Sequence, residues 1–380
     1  MKLKMGNPLR NSGLQTLLAS LICILLGLLA GYIVLLIIEP SGAWKALMAI
    51  LKNYFYYPTK KKVLQYLGTT LVKTAPLVMC SLSVLFAYKA GLFNIGAAGQ
   101  YVAGAGACLY TALALQQPWY VCMLAAIVAG AALGAISGAL KALCNVNEVI
   151  SCIMLNWIGL YCVNILLTNV KESASPYTMD LRSTNASAIY PSLGLGELFN
   201  NNKAVTIAIP LAVIIAVVIW VILTKTKLGY ELRATGCNRE AARYAGMKQN
   251  RNLILTMAIS GGLAGLGASM LYQTGLEQWS CSMSSLPAMG FNGIAAAFLG
   301  GLHPVGAVFS SYFIQHITNG GAFVDKTMYC SQISDLISAI IIYLCGFVFF
   351  IKYAMNYLID KNEEKQALKA KANTQEGGDK

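Results

Sequence analysis

From Leu14 to Ile38 the chain runs for 25 residues without a charged side chain. A helix of that length reaches roughly 37 Å at about 1.5 Å per residue, more than the ~30 Å hydrocarbon core of a bilayer. Such a run is read as a tilted membrane span. Lys2, Lys4 and Arg10 precede it, as basic residues precede a secretory leader. A leader's apolar core, however, is only ~7–15 residues long and ends in small residues before the cut. This run is longer and ends in Ile37-Ile38-Glu39-Pro40, so an anchor helix is expected, not a cleaved leader.

The rest of the chain has the same character. Of its 380 residues 57% are hydrophobic and 11% are charged, whereas a soluble domain carries roughly 25% charged residues. The mean hydropathy is +0.60. Lipid is the expected solvent. Apolar runs near 14–38, 66–88, 93–115, 119–140, 148–169, 203–224, 253–275, 287–302, 303–319 and 331–352 mark about ten segments. The expected fold is all-α: a polytopic integral membrane helical bundle occupying 14–352. Its eighth and ninth segments are short and interrupted by glycine, which points to discontinuous or re-entrant helices. Gly130, Gly134 and Gly138 make two successive G-x-x-x-G steps, and Gly261 and Gly265 repeat the spacing. Small residues let helix backbones approach in lipid, where hydrophobic burial gives helices little reason to associate.

Charge sets the orientation. The net charge of +13 is read as topology-setting and not as a nucleic-acid surface, because cytoplasmic loops carry an excess of Lys and Arg. Segment 225–252 holds Lys225, Lys227, Arg233, Arg239, Arg243, Lys248 and Arg251 against Glu231 and Glu240. It is therefore placed inside, which puts the N-terminus (1–13) and the tail 353–380 in the cytoplasm and the loop 170–202 outside. One segment disagrees: Lys45, Lys52, Lys60, Lys61 and Lys62 fall in 39–63, which span parity places outside. Its Tyr54-Phe55-Tyr56-Tyr57 run suits a helix at the membrane surface. The tail is Lys/Glu-rich and expected to be disordered.

Several mechanisms lack their residues. Proton-driven carriers keep ionisable groups in the membrane despite a cost of at least ~2.5–3.5 kcal/mol each. Here Glu148 and Asp335 sit near span ends, no carboxylate occupies mid-span, and the two histidines are His303 and His316. Lys73 is an intramembrane cation in the outer part of its span, where it can snorkel. Sodium coupling through backbone carbonyls stays open. The 11 cysteines show no C-x-x-C pair and read as small buried hydrophobes. No metal site, cofactor or nucleophile–base pair is expected, which disfavours a membrane-embedded enzyme. The chain also lacks the G-x-x-x-x-G-K-[ST] phosphate loop, so active transport would draw its energy from a separate ATPase docked on the inner side.

Segment 225–252 offers that docking surface. Asn238 is a candidate N-cap, Glu240 favours a first turn and Gly246 can end the helix, leaving about two turns between them. The alternative is a solvated loop that only sets topology.

At these residues the chain resembles a known family. Gly91-Leu92-Phe93-Asn94-Ile95-Gly96-Ala97-Ala98-Gly99-Gln100 is similar to a signature of nucleoside ABC importer permeases, within the family that also serves branched-chain amino acids and simple sugars. Asn147-Glu148-Val149-Ile150 with Met154-Leu155-Asn156 resembles a second block. The third is Gly229 to Ala234 followed by Ala241 to Gly246. The fourth is Gly290-Phe291-Asn292-Gly293-Ile294-Ala295, then Leu299-Gly300-Gly301 and Pro304. The blocks run in family order over about 65–350. Ala98 departs from a common acidic residue, and His303 stands where Asn or a similar polar residue is common.

The resemblance implies a bacterial cell-membrane permease, not an enzyme, with a purine or other nucleoside as substrate. Sugars or branched-chain amino acids are the alternative cargo, and an ion-coupled carrier the alternative class. Implied partners are an ATPase with two nucleotide-binding domains (holding the ATP and Mg), a second homologous permease and a substrate-binding lipoprotein. A polar substrate needs hydrogen-bond partners at membrane depth, and broken helices commonly line cavities. Asn94, Gln100, Asn156, Asn292 and His303 are therefore candidate pathway residues, with Phe93, Trp157 and Phe291 to stack on a base; interhelical packing is the alternative for each. The coupling candidates are Arg233, Asn238, Glu240, Arg243, Tyr244 and Gly246. Glu148 is a gate or an ion-pair partner. The Phe-Asn step shared by 93–94 and 291–292 hints at a repeat.

Overall fold

The computed structural model describes residues 12–376 except 326, 330–335, 338, 341, 342 and 345. Among the described residues the regular elements are helical, and extended pairing is limited to two isolated bridges, Lys171 with Thr178 and Tyr177 with Ser280. The main helices are α1 (Ser12–Ile38), α2 (Ala43–Lys52), α3 (Lys60–Lys89), α4 (Ala97–Leu113), α5 (Trp119–Cys144), α6 (Glu148–Leu167), α7 (Ala208–Lys225), α8 (Lys227–Cys237), α9 (Arg239–Tyr244), α10 (Gln249–Tyr272), α11 (Ala288–Leu299), α12 (Pro304–Gly320) and α13 (Val348–Glu376).

Six of these, α1, α3, α5, α6, α7 and α10, are long and apolar enough to cross a bilayer. That is fewer than the ten segments the hydropathy predicts. The reason is glycine: the breaks at 91–96 and 300–301 shorten their neighbours, leaving α4 and α12 with 17 residues each and α11 with 12. The last apolar segment, 331–352, lies partly outside the described residues, as does Asp335.

Helices α3 and α10 form the buried centre, and α1, α5, α6 and α7 turn one face outward. The two glycine-spaced helices pack on each other. A Cβ on Gly130 would meet the Gly261 carbonyl oxygen, and one on Gly134 the Met257 carbonyl oxygen, both well inside van der Waals contact. Gly138 sits on Ile254 and Met257, so the whole α5 stripe is used. At such approach the backbones themselves are the packing surface.

Hydrogen bonds show which loops share an end. Asn185 Nδ2 donates to the Ala112 carbonyl (2.9 Å), Gln273 Nε2 to those of Trp119 (2.9 Å) and Ala188 (2.8 Å), and Arg182 Nη2 to that of Thr274 (2.8 Å). Asn202 Nδ2 reaches the Gln65 carbonyl at 2.8 Å, which brings the start of α3 to the same end. Lys73 does more than snorkel there: its Nζ pairs with Glu277 at 2.8 Å. The lysine-rich 39–63 segment thus lies opposite segment 225–252, as span parity requires. Its α2 is amphipathic, burying Ala43, Ala46, Leu47, Ala49 and Ile50 while Lys45 and Lys52 stay exposed.

The tail differs from expectation. Helix α13 continues to Glu376, where charge-rich composition predicts disorder from 353. Its Lys, Glu, Gln and Ala residues are strong helix formers, and that local preference extends the helix beyond its apolar part.

Candidate functional site

The site begins where α3 cannot continue. Gly91 adopts φ +74°, a left-handed turn that glycine takes without strain, and the chain stays non-helical until α4 starts at Ala97. Backbone groups in such a break need partners inside the bundle. Asn156 of α6 supplies two: its Oδ1 accepts from the Gly99 amide (2.9 Å) and its Nδ2 donates to the Ile95 carbonyl (3.2 Å). Asn94 Nδ2 donates to Gln100 Oε1 (2.8 Å) and to Ser260 Oγ (2.6 Å), while Gln100 Nε2 donates back to Asn94 Oδ1 (3.2 Å). Ser260 in turn donates to the Ser83 carbonyl (2.7 Å). All of these side chains are buried. The gap beside them, between Gly96, Gln100, Ser137, Cys152 and Asn156, has no room for a water molecule. Three expected pathway amides therefore gather at the break, but Asn94 and Gln100 bond each other, Asn156 bonds the backbone, and together they hold the break in place.

The aromatic candidates lie nearby on the other face of the break. Gly290 and Gly293 of α11 press on the backbones of Ala98 and Cys80, where a Cβ would clash. This turns Phe291, Ile294 and Phe298 outward, lining a recess of about 260 Å³ with Ala295 and Gly346. Phe93 approaches Phe298 from the break, the two rings 6.3 Å apart. Tyr88 (5.4 Å) and Phe349 (5.8 Å) meet Phe298 edge-on. Asn292 is half-buried on the same helix. Phe298, the hub of the group, was not among the sequence candidates. Its signal is the spacing of seven from Phe291, which puts the two on one helical face.

Two candidates lie elsewhere. Trp157 is partly exposed on α6, stacked with Tyr161 at 6.3 Å and 25°. His303 is the N-cap of α12, its Nδ1 accepting from the Val305 amide at 3.3 Å. Glu148 is held in an ion pair with Lys141 (2.9 Å), both side chains 15% exposed.

The basic segment is built as a projecting elbow. Thr226 caps α8 by accepting from the Gly229 amide (3.1 Å), and Asn238 caps α9 by accepting from the Ala241 amide (3.0 Å). Gly246, at φ +79°, closes the elbow, its amide bonding the Arg243 carbonyl (2.9 Å) while Met247 bonds that of Ala242 (3.0 Å). Glu240 sits in the first turn of α9. Ala242 is the buried residue of α9, and Arg243 and Tyr244 project, Tyr244 being 91% exposed. Arg233 is exposed on α8. The elbow is tied to α10 by Asn252 Nδ2 donating to Thr235 Oγ1 (3.1 Å) and by an Arg251–Glu231 pair (3.1 Å). It also touches the break: the backbone of Gly236 lies directly on Ala90 and Gly91.

A family model described as branched-chain amino acid transport system / permease component matches residues 66–346. The guanosine ABC transporter permease protein NupP of Bacillus subtilis is 33% identical over 92% of this chain and 98% of its own length. The nucleoside ABC transporter permease protein NupB of Lactococcus lactis is 31% identical over 97% of this chain and 100% of its own. The glucose ABC transporter permease protein TsgB13 of Haloferax volcanii is 30% identical over 78% and 80%. The first two organisms each carry a second permease named for the same cargo, NupQ (28% identical) and NupC (26%). No solved structure matches significantly.

Proposed function

This chain belongs to the family of branched-chain amino acid transport permease components, and from that premise we propose that it forms the nucleoside pathway of an ATP-binding cassette importer. It is a transport component of the membrane, not an enzyme. The observation that carries the cargo is the likeness to two nucleoside permeases over nearly the full length of both chains, against a shorter match to a glucose permease. The paired permeases of both organisms support a second, homologous permease beside this one.

In this reading the ten apolar segments each cross or enter the bilayer, with segment 225–252 and both termini in the cytoplasm and 170–202 outside. ATP and Mg belong to a separate ATPase, which grips the exposed Arg243–Tyr244 tip of α9. A substrate-binding lipoprotein delivers the nucleoside to the outer face. The aromatic recess around Phe291 and Phe298 takes the base, and Asn292 supplies a hydrogen-bonding edge. The Asn94–Gln100–Asn156 cluster keeps the break in register, and Gly236 against Gly91 carries the ATPase stroke to it. Uptake of radiolabelled guanosine by cells expressing the chain with its partners tests the cargo. Competition by unlabelled nucleosides is expected. Competition by glucose with none by nucleosides would assign the chain to the sugar branch.

A further inference from the structure

A second site lies between α1 and the α11–α12 hairpin, away from the recess. Helix α1 packs on α2 and α13 and meets the hairpin at its tip. There Ser20 Oγ donates to the Leu299 carbonyl (2.7 Å), and the Thr16 side chain occupies the space left by Gly301, whose φ is +66°. Beyond the tip the walls part into a groove of about 790 Å³, with Leu21 and Ile24 on one side and Val305 and Phe309 on the other. The serine hydroxyls in its lining are turned onto backbone carbonyls, Ser20 onto Leu299 and Ser310 onto Ala296 (2.6 Å), so the wall presented is apolar.

The tip is cationic. Lys352 supplies the charge, its Nζ donating to Thr16 Oγ1 at 2.9 Å, while His303, which lines the groove with Nδ1 as an acceptor, is a neutral donor through its other ring nitrogen. The charges felt by Lys89 are those of Arg233 and Lys352, and the charge felt by His303 is that of Lys89. All have one sign. They stand at the end of the bundle that carries segment 225–252. An apolar trough open to lipid and ending in like cations at one membrane face matches the two parts of an acidic phospholipid.

We propose that this groove holds one anionic phospholipid, its acyl chains along Leu21, Ile24 and Phe309 and its phosphate at Lys352 and His303. The proposal rests on the membrane placement of the chain and not on the nucleoside reading. Native mass spectrometry of the whole transporter, incubated with phosphatidylglycerol or with phosphatidylcholine of the same acyl chains, tests it. Phosphatidylglycerol is retained in preference, one per copy of this chain. Lys352→Gln weakens retention roughly fivefold, the change expected for one lysine beside an anionic headgroup. Val305→Trp fills the groove and releases the lipid. Val305 is 42% exposed, so the substitution adds no buried bulk, and Leu21→Trp, at a position 47% exposed, makes the same test from α1. Equal retention of the two lipids, or phosphatidylglycerol unaffected by both tryptophans, would overturn the proposal. So would its displacement by inorganic phosphate alone, which marks a simple anion site. A disulfide from Phe309→Cys to the second permease would show a protein there instead.

Discussion

Gly91 and Gly236 meet backbone to backbone, so the break after α3 and the basic elbow form one mechanical contact. A Cβ on Gly91 would lie 2.8 Å from the Gly236 Cα, and one on Gly236 would meet the Ala90 carbonyl carbon more closely still. Neither residue can carry a side chain unless the two segments part. Whatever moves α8 and α9 therefore moves the start of the break that carries Asn94, or separates from it.

Gly91→Ala is expected to uncouple. It forces alanine into the left-handed region, at about 1–3 kcal/mol of strain, and pushes the elbow off the break. Guanosine uptake should fall to background while the assembled complex still hydrolyses ATP. Simultaneous assay of uptake and phosphate release checks this, and retained uptake would show that the contact transmits nothing.

Asn156→Ala separates a structural amide from a ligand contact. It leaves the Gly99 amide and the Ile95 carbonyl without their partner, at roughly 1–3 kcal/mol for each buried group. The prediction is a lower melting temperature in detergent that added nucleoside does not selectively restore. A raised KM with an unchanged melting temperature would return Asn156 to the substrate path.

Phe298→Leu and Phe291→Leu keep apolar volume but remove the ring face. Stacking of a base on an aromatic is worth about 1–3 kcal/mol, so the KM for guanosine should rise roughly fivefold or more with little change in stability. Trp157→Leu, on the outer flank of α6, should leave KM near the parent value. The reverse pattern would move the path to α6.

The glycine stripe predicts a folding defect. Gly134→Leu sets a side chain against the Met257 carbonyl, and overpacking of this kind costs about 1–3 kcal/mol. Leucine at Gly194, which has open space around it but φ +81°, strains the backbone without touching a helix. Thermal unfolding should show the larger loss at Gly134.

Local devices were legible in the sequence because their parts lie within a few residues of one another. The Asn238 cap, the Gly246 stop and the glycine stripes stand where their spacing places them. Contacts that close through space were not. Nothing around Asn94 tells that its amide meets Gln100 and Ser260 instead of a cavity. Phe298 shares a face with Phe291, but that face is turned to the recess by Gly290 and Gly293 on Ala98 and Cys80. Lys73 finds Glu277 across more than two hundred residues of chain. Hydropathy marks about ten segments, whereas six helices reach spanning length among the described residues, because glycine breaks leave short helices on either side of them.

Reconstitution with and without the ATPase tests the central claim most directly. Proteoliposomes holding this chain, its second permease and the ATPase, supplied with loaded binding protein, should concentrate guanosine when ATP is present. Tyr244→Asp at the tip of α9 should abolish that accumulation without unfolding the chain. Concentration of guanosine by this chain alone, driven by a proton or sodium gradient, would contradict the account.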